Sequence, residues 1–370
     1  MSSKVVMNKL DSGEAKVDEK FQYGWGYEDG KHTIQKFRIP IPVPKEKEVL
    51  IKIEAAGLCQ SDNHVLVGGP IPSRDPVNYP IKPNFIMGHE IAGSVAQVGE
   101  GLKGDPRYVP GTRFALSIAN SCGVCESCRG GKDNSCDDTS YSYGLNIDGG
   151  FQQYLLVKNL KTLLPIPENV SYEVAAIASD SVLTPFHAIQ KVRQFLNPTT
   201  KVLLVGLGGL GLNALQILRH YGCYIVASDI KPELKKIALE KGADEYHIDM
   251  SESDHNIESF NVVIDCVGVQ PSSDLCQTYV ASQGKYLTIG LGRSKLFIHN
   301  YLLARREVEI IFSFGGTTLE QIEVMKWISK GIITPVTSTA DLDDIPYWLK
   351  QLHDGKVEGR IVFKPKSTKL

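Results

Sequence analysis

The sequence has no apolar run long enough to span a bilayer, no long basic stretch, no internal repeat and no low-complexity tract. The first absence argues against a membrane-spanning helix. The second, with a formal net charge of −2, argues against nucleic acid or an anionic membrane as partner. The opening stretch MSSKVVMNKLDSGEAKVDEK lacks the apolar core of a signal peptide and carries Asp11, Glu14, Asp18 and Glu19, whereas organellar transit peptides are poor in acids. A cytoplasmic protein is expected. What remains is ordinary for a soluble globular chain: 370 residues, 42% hydrophobic and 22% charged, enough for two domains that each bury a core.

Eight cysteines break that plainness. A long chain without a signal peptide, in a reducing compartment, uses thiols for metals rather than for cross-links. Cys122, Cys125, Cys128 and Cys136 follow C-x2-C-x2-C-x7-C in a loop rich in Gly, Ser and Asp. Thiolates two residues apart can converge on one ion, and four sulfurs complete the closed tetrahedral shell of a structural zinc. The lobe so formed would cover about residues 119–140. Cys223, Cys266 and Cys276 lie in apolar strand-like or helix-like stretches and read as core thiols.

A second cluster has mixed S, N and O character. Cys59 stands in C-Q-S-D-N-H, and His89 and Glu90 stand side by side in M-G-H-E-I-A-G-S-V. A cysteine and a histidine far apart are usually core residues, but the G-H-E segment delivers an imidazole and a carboxylate together, which suits a metal and its near surroundings. A catalytic zinc takes three protein ligands and keeps one position open, so a third ligand is required. Asp180, in ASDSVLTPFHA, is of an acceptable type; it could equally cap the helix that follows, and the residues leave the two readings open. Ser61 and His64 flank Cys59. A hydroxyl beside a metal ligand can take a substrate proton, and a histidine one helical turn on can pass it to water. A plain solvated helix face is the alternative. His187 and Tyr141, Tyr143 and Tyr154 are assigned to packing or loops.

From about residue 183 the texture changes. KVLLVG, CYIVASD, FNVVIDCVG and KYLTIGL read as buried strands, and LGLNALQILRHYG and PELKKIALEKG as helices. Such alternation argues for a parallel sheet covered on both faces, a doubly wound α/β unit. Residues 1–180 read instead as short strands punctuated by Gly and Pro, with irregular loops over 68–85 and 119–150. Between the strand KVLLV and its helix lies G-L-G-G-L-G, with Gly206, Gly208, Gly209, Leu210 and Gly211. Glycines there allow a tight turn, a close backbone approach to a pyrophosphate and close helix–strand packing, with the helix N-terminus toward the phosphates. Asp229 ends the next strand, where it would accept ribose hydroxyls and repel a 2′-phosphate, favouring NAD over NADP. Lys231, two residues on, would soften that preference.

Assembled, these residues resemble the zinc-containing medium-chain dehydrogenase/reductase family, the alcohol dehydrogenases in particular, from about residue 35 to 365. The family's G-H-E-x-x-G-x-V appears as Gly88, His89, Glu90, Gly93 and Val95, and its D-G-G-F-x-x-Y strand as Asp148, Gly149, Gly150, Phe151 and Tyr154. The resemblance implies a GroES-like, partly open β-barrel catalytic domain (residues 1–183 and about 326–370) and a Rossmann NAD-binding domain (about 184–325). It implies two zincs per chain. Cys59, His89 and Asp180 would hold the catalytic ion, with Glu90 a near-shell or alternating ligand, and Ser61 with His64 would relay the proton. Arg360, in V-E-G-R-I-V-F, would reach cofactor phosphate. Two departures matter: Asp180 stands where many members have cysteine, as in the branch that prefers secondary alcohols and ketones, and Gln60 stands where a basic residue often follows the first cysteine. The expected activity is hydride transfer between an alcohol, preferably secondary, and NAD, with small alcohols, ketones or aldehydes as substrates and a homodimer or homotetramer as the assembly. A polyol or cinnamyl-type dehydrogenase is the alternative within the superfamily, and a non-catalytic zinc- and NAD-binding relative the alternative outside it.

Overall fold

The computed structural model describes residues 8–9, 21–67, 82–137 and 142–366. Most of the expected 68–85 loop and residues 138–141 of the expected 119–150 loop, Tyr141 among them, lie outside them. Among the described residues the strands form three sheets. One has six parallel strands in the spatial order Glu245–His247, Tyr224–Ser228, Lys201–Val205, Phe260–Asp265, Val280–Thr288 and Glu309–Phe312. In chain order that is 3-2-1-4-5-6, the doubly wound arrangement whose topological switch lies between the first and fourth strands. The apolar runs predicted as strands are its middle members, and their apolar centres (residues 202–205, 225–227, 262–264 and 286–287) are buried, as a sheet covered on both faces requires. The outer members Glu245–His247 and Glu309–Phe312 went unseen in the sequence, because strands of three and four residues are too short to show a period.

The largest sheet joins distant parts of the chain. Its order is Thr337–Asp341, Arg360–Lys364, Val49–Gly57, Glu90–Val98, Arg113–Leu116 and Leu163–Pro165, with Tyr154–Val157 also pairing Val49–Gly57. Val362 and Phe363 pair with Gly57 and Ala56, so a late strand closes against an early one. A small antiparallel sheet covers one end, where Phe21–Glu28 pairs both Gln35–Pro40 and Asn84–Ile86; this last strand replaces the end of the expected loop.

A helical run connects the two large sheets: Tyr172–Ile177, a π-helical turn over Ala178–Val182, then Leu183–Gln190. Asp180 therefore sits inside a helical run, not at a helix start, and the N-cap alternative falls. Single π turns place one extra residue in a helix and recur at functional sites. The helix Thr318–Ser329 packs across this run, with Phe186 and Trp327 edge to face at 5.2 Å.

Candidate active site

Three chain segments meet where the largest sheet faces the helical run. Cys59 follows the strand Val49–Gly57 and opens the helix Gln60–Val67. His89 precedes the strand Glu90–Val98. Its segment is braced by 148–151: Ile86 N donates to Asp148 Oδ1 at 2.9 Å, and Phe151 N donates to Met87 O at 2.9 Å. Gly88 has φ +89 with the Phe151 ring beneath it, a position no β-carbon could share. Asp180 arrives from the π turn.

These segments bring the predicted ligands together. Cys59 Sγ lies 3.3 Å from Asp180 Oδ2, and His89 Nε2 lies 3.6 Å from the same oxygen. One atom from each of the three residues falls within 4.8 Å of the others. Ser61 Oγ stands 3.5 Å from Cys59 Sγ. His64 is half-buried, its pKa lowered by burial, and its Nδ1 finds no partner among the described residues.

Around the triad is a buried surplus of acids. Asp62, fully buried, accepts from Cys59 N at 2.9 Å and faces His89 Nδ1 at 3.4 Å. Burial alone would raise Asp180, but His89, Arg360 and Thr184, whose hydroxyl donates at 2.8 Å, hold it well below the usual carboxylate range. Burial penalises the charged form of His89, yet Asp62, Asp180 and Cys59 outweigh it and draw the ring pKa well above its ordinary value. A thiol and three carboxylates around one guanidinium and one imidazole form an arrangement that a divalent cation would neutralise, and S, N and O donors together suit zinc.

Glu90 stands behind the triad rather than in it. Its Oε1 takes Arg360 Nη2 at 3.0 Å and Ser181 N at 3.1 Å. Its Oε2 is buried without a hydrogen bond, against Gly57, whose missing β-carbon makes the room. Burial pushes its carboxyl up to about 7, against the pull of Arg360. Arg360 also lies 3.4 Å from Asp180 Oδ2 and against Gly209 of the glycine turn. The expected phosphate ligand thus spans the gap between metal cluster and nucleotide turn, with both neighbouring carboxylates as its present partners. Burial disfavours its charge, and Cys59, Glu90, Asp180 and Asp62 restore it.

In the turn itself Gly206 has φ +87 and its N–H bonds Ser228 O at 2.8 Å. A β-carbon on Gly211 would strike Gly206 O, whereas one on Gly208 would meet open space, the space a pyrophosphate would need. Asp229 accepts from Leu207 N at 2.6 Å and Lys231 N at 3.1 Å. Lys231 Nζ donates to Gly355 O, so its charge is tied to the C-terminal segment rather than aimed at a ribose. The turn fits a dinucleotide.

The cysteine loop converges as its spacing predicts. Cys122 and Cys128 sulfurs lie 3.9 Å apart, as do those of Cys125 and Cys136, close to the roughly 3.8 Å edge of a tetrahedron with 2.3 Å Zn–S bonds. All eight cysteines are free thiols. Amide N–H groups of Val124 and Cys125 draw Cys122 down to about 6, while burial and the neighbouring sulfurs push Cys128 up to about 12. Four sulfurs so close ionise together only around a cation, so this donor set fits zinc too.

The N-terminal half matches the alcohol dehydrogenase GroES-like domain over residues 45–168, and the zinc-binding dehydrogenase family matches residues 209–330. A protein named NAD-dependent alcohol dehydrogenase from Sulfurisphaera tokodaii is 32% identical, over 88% of this chain and 95% of its own length. The chain belongs to the zinc-type medium-chain alcohol dehydrogenases. Among solved members, the acetophenone reductase of Geotrichum candidum in complex with NAD has a TM-score of 0.84 and 36% identity, covering 95% of this chain and 98% of that one. The alcohol dehydrogenase of Aeropyrum pernix has a TM-score of 0.82 and 27% identity over 93% and 100%.

Within this dehydrogenase fold two site residues escaped the sequence reading. Asp62 was a signal in plain view: an acid at the third helix position is the type that reaches back to the N-cap amide, here that of Cys59. Thr184 is one helical turn from Asp180, a relation hidden until the π turn is known. His187, assigned to packing, instead bonds Glu320 at 2.8 Å and Asn134 at 3.3 Å, tying the cysteine lobe to the helix that begins at Thr318.

Proposed function

We propose that the protein is a zinc- and NAD-dependent dehydrogenase that interconverts secondary alcohols and ketones, with two zincs per chain. The observation that carries this reading is the convergence of Cys59, His89 and Asp180 beside Ser61, with Arg360 linking them to the glycine turn. Zinc held by those three residues supplies Lewis acidity, which eases alcohol deprotonation or polarises a carbonyl. NAD supplies the hydride acceptor. The chain's own part is positioning and proton handling. Ser61 Oγ takes the hydroxyl proton, and His64, kept neutral by burial, receives it one turn along the helix and releases it to water. Asp62 fixes Cys59 and His89, Arg360 balances Glu90 and Asp180, and Asp229 receives the adenosine ribose.

A carboxylate in place of a third donor of Cys type leaves a more electropositive ion and a less bulky wall, which suits a carbinol carbon with two substituents; the reductase of Geotrichum candidum acts on such a ketone by its name. We place the protein in the cytosol, where its thiols stay reduced. A homo-oligomer is supported by the open edge of Glu309–Phe312, with Phe297, Tyr301, Phe312 and Phe314 exposed, since edges of this kind are normally covered. The test is turnover of 1-phenylethanol, 2-propanol, ethanol and sorbitol with NAD and with NADP. Secondary alcohols with NAD should lead; preference for sorbitol, or no turnover of any of the four, overturns the reading.

A further inference from the structure

We propose that Glu245, His247 and His255 form a third metal-binding site, for a first-row divalent ion such as Zn2+ or Ni2+, on the outer edge of the six-stranded sheet. Glu245 and His247 are alternate residues of the edge strand Glu245–His247, so both side chains leave the same face. His255 returns to that face after the short turn Met250–Glu252. Its ring is set edge to face on Phe260 at 5.3 Å, and the two imidazoles stand 6.0 Å apart at 79°. The two Nε2 atoms converge on one oxygen: Glu245 Oε2 lies 2.8 Å from that of His247 and 3.1 Å from that of His255. The three donor atoms fall within 4.8 Å of one another.

Two imidazoles and a carboxylate are a donor set chosen by zinc, nickel, copper or iron over magnesium or calcium. The carboxylate is ready for the task. Tyr224 donates to its Oε1, which orients the carboxylate and leaves Oε2 facing the two imidazoles. The side chains keep 32%, 23% and 12% of their exposure, which leaves solvent to complete the coordination. The cluster shares no residue with the cysteine loop or the active site.

One neighbour opposes an ion. Lys201 Nζ lies 2.8 Å from His255 Nδ1. When Nε2 binds metal the ring proton sits on Nδ1, where it meets an ammonium donor, so Lys201 must swing aside. That conflict makes the proposal specific, because a side chain able to accept the Nδ1 proton should bind metal better than the native one.

The test titrates the purified enzyme, its zinc in place, with Ni2+ and measures bound nickel and retained zinc together. Wild type should take up one further equivalent with zinc unchanged. His247→Gln and Glu245→Gln should each weaken that uptake by at least about tenfold, the scale on which even supporting partners act, with thermal midpoint and NAD-dependent turnover unaltered. Lys201→Gln should strengthen it. The proposal is overturned if wild type binds no further equivalent in tenfold excess of Ni2+, if uptake displaces zinc one for one, or if the variants bind as wild type does.

Discussion

Asp62→Asn isolates the residue that holds two active-site donors from behind. The substitution keeps volume in a site with no exposure, so packing is preserved. Asp62 offers two acceptor oxygens, one accepting from Cys59 N at 2.9 Å and one 3.4 Å from His89 Nδ1, an ion-pair contact rather than a formed hydrogen bond. Asparagine has a single acceptor. With its oxygen kept on the Cys59 amide, its NH2 confronts the imidazole N–H, donor against donor; turned the other way, it confronts the amide. One buried contact to a charged group is lost in either orientation, about 1.5–3 kcal/mol, or roughly 10- to 150-fold. Loss of an outer partner of a zinc ligand typically costs about 10–100-fold in affinity or activity, so two independent routes agree. The assay is kcat/KM for alcohol oxidation with NAD, alongside the rate of zinc loss to a chelator. A variant within twofold of wild type in both would show that Asp62 does not position His89 or Cys59.

Three further outcomes follow from the same geometry. Asp180→Ala should lose one zinc per chain and nearly all turnover while the cysteine-loop zinc and the thermal midpoint persist; retention of two zincs by metal analysis refutes its role as ligand. Asp229→Ser should raise KM for NAD and lower it for NADP, since the repulsion of a 2′-phosphate is removed, and kinetics with both cofactors decide it. His64→Ala should slow oxidation by about tenfold or more and be rescued by added imidazole. Because burial sets the His64 pKa below 6.5, the ring is neutral above that value and gains its proton only as pH falls further; the acid loss of relay in wild type should therefore begin below pH 6.5, and a loss centred above it contradicts the burial argument.

Short-range pattern was legible in the sequence. Cys122 to Cys136 and Gly206 to Gly211 announce themselves because the residues of each motif lie within one loop or one turn. The buried parallel strands were readable for the same reason, as unbroken apolar runs. What could not be read depends on distant chain. The pairing of Arg360 with Glu90 joins residues far apart in sequence, and nothing in V-E-G-R-I-V-F tells a cofactor ligand from a counter-ion for buried acids. Asp180 stayed ambiguous because a helix start and a π turn place the same short polar residues in the same apolar surroundings. The strand Glu245–His247 was missed because three residues are too few to show a period, and the cluster of Glu245, His247 and His255 was missed with it.

The strand Arg360–Lys364 closes on Val49–Gly57 across the whole of the parallel-sheet unit, which sets an order of events during synthesis. Units fold largely as they emerge, so the parallel sheet can assemble while the earlier sheet still lacks its last neighbours. Until Arg360 arrives, Glu90 and Asp180 face each other without the guanidinium that now balances them, and burying both as anions is strongly unfavourable. Closing the early sheet over this pair is therefore disfavoured until the last strand is in place. Completion of the early sheet is thus tied to one arginine supplied from the far end of the chain.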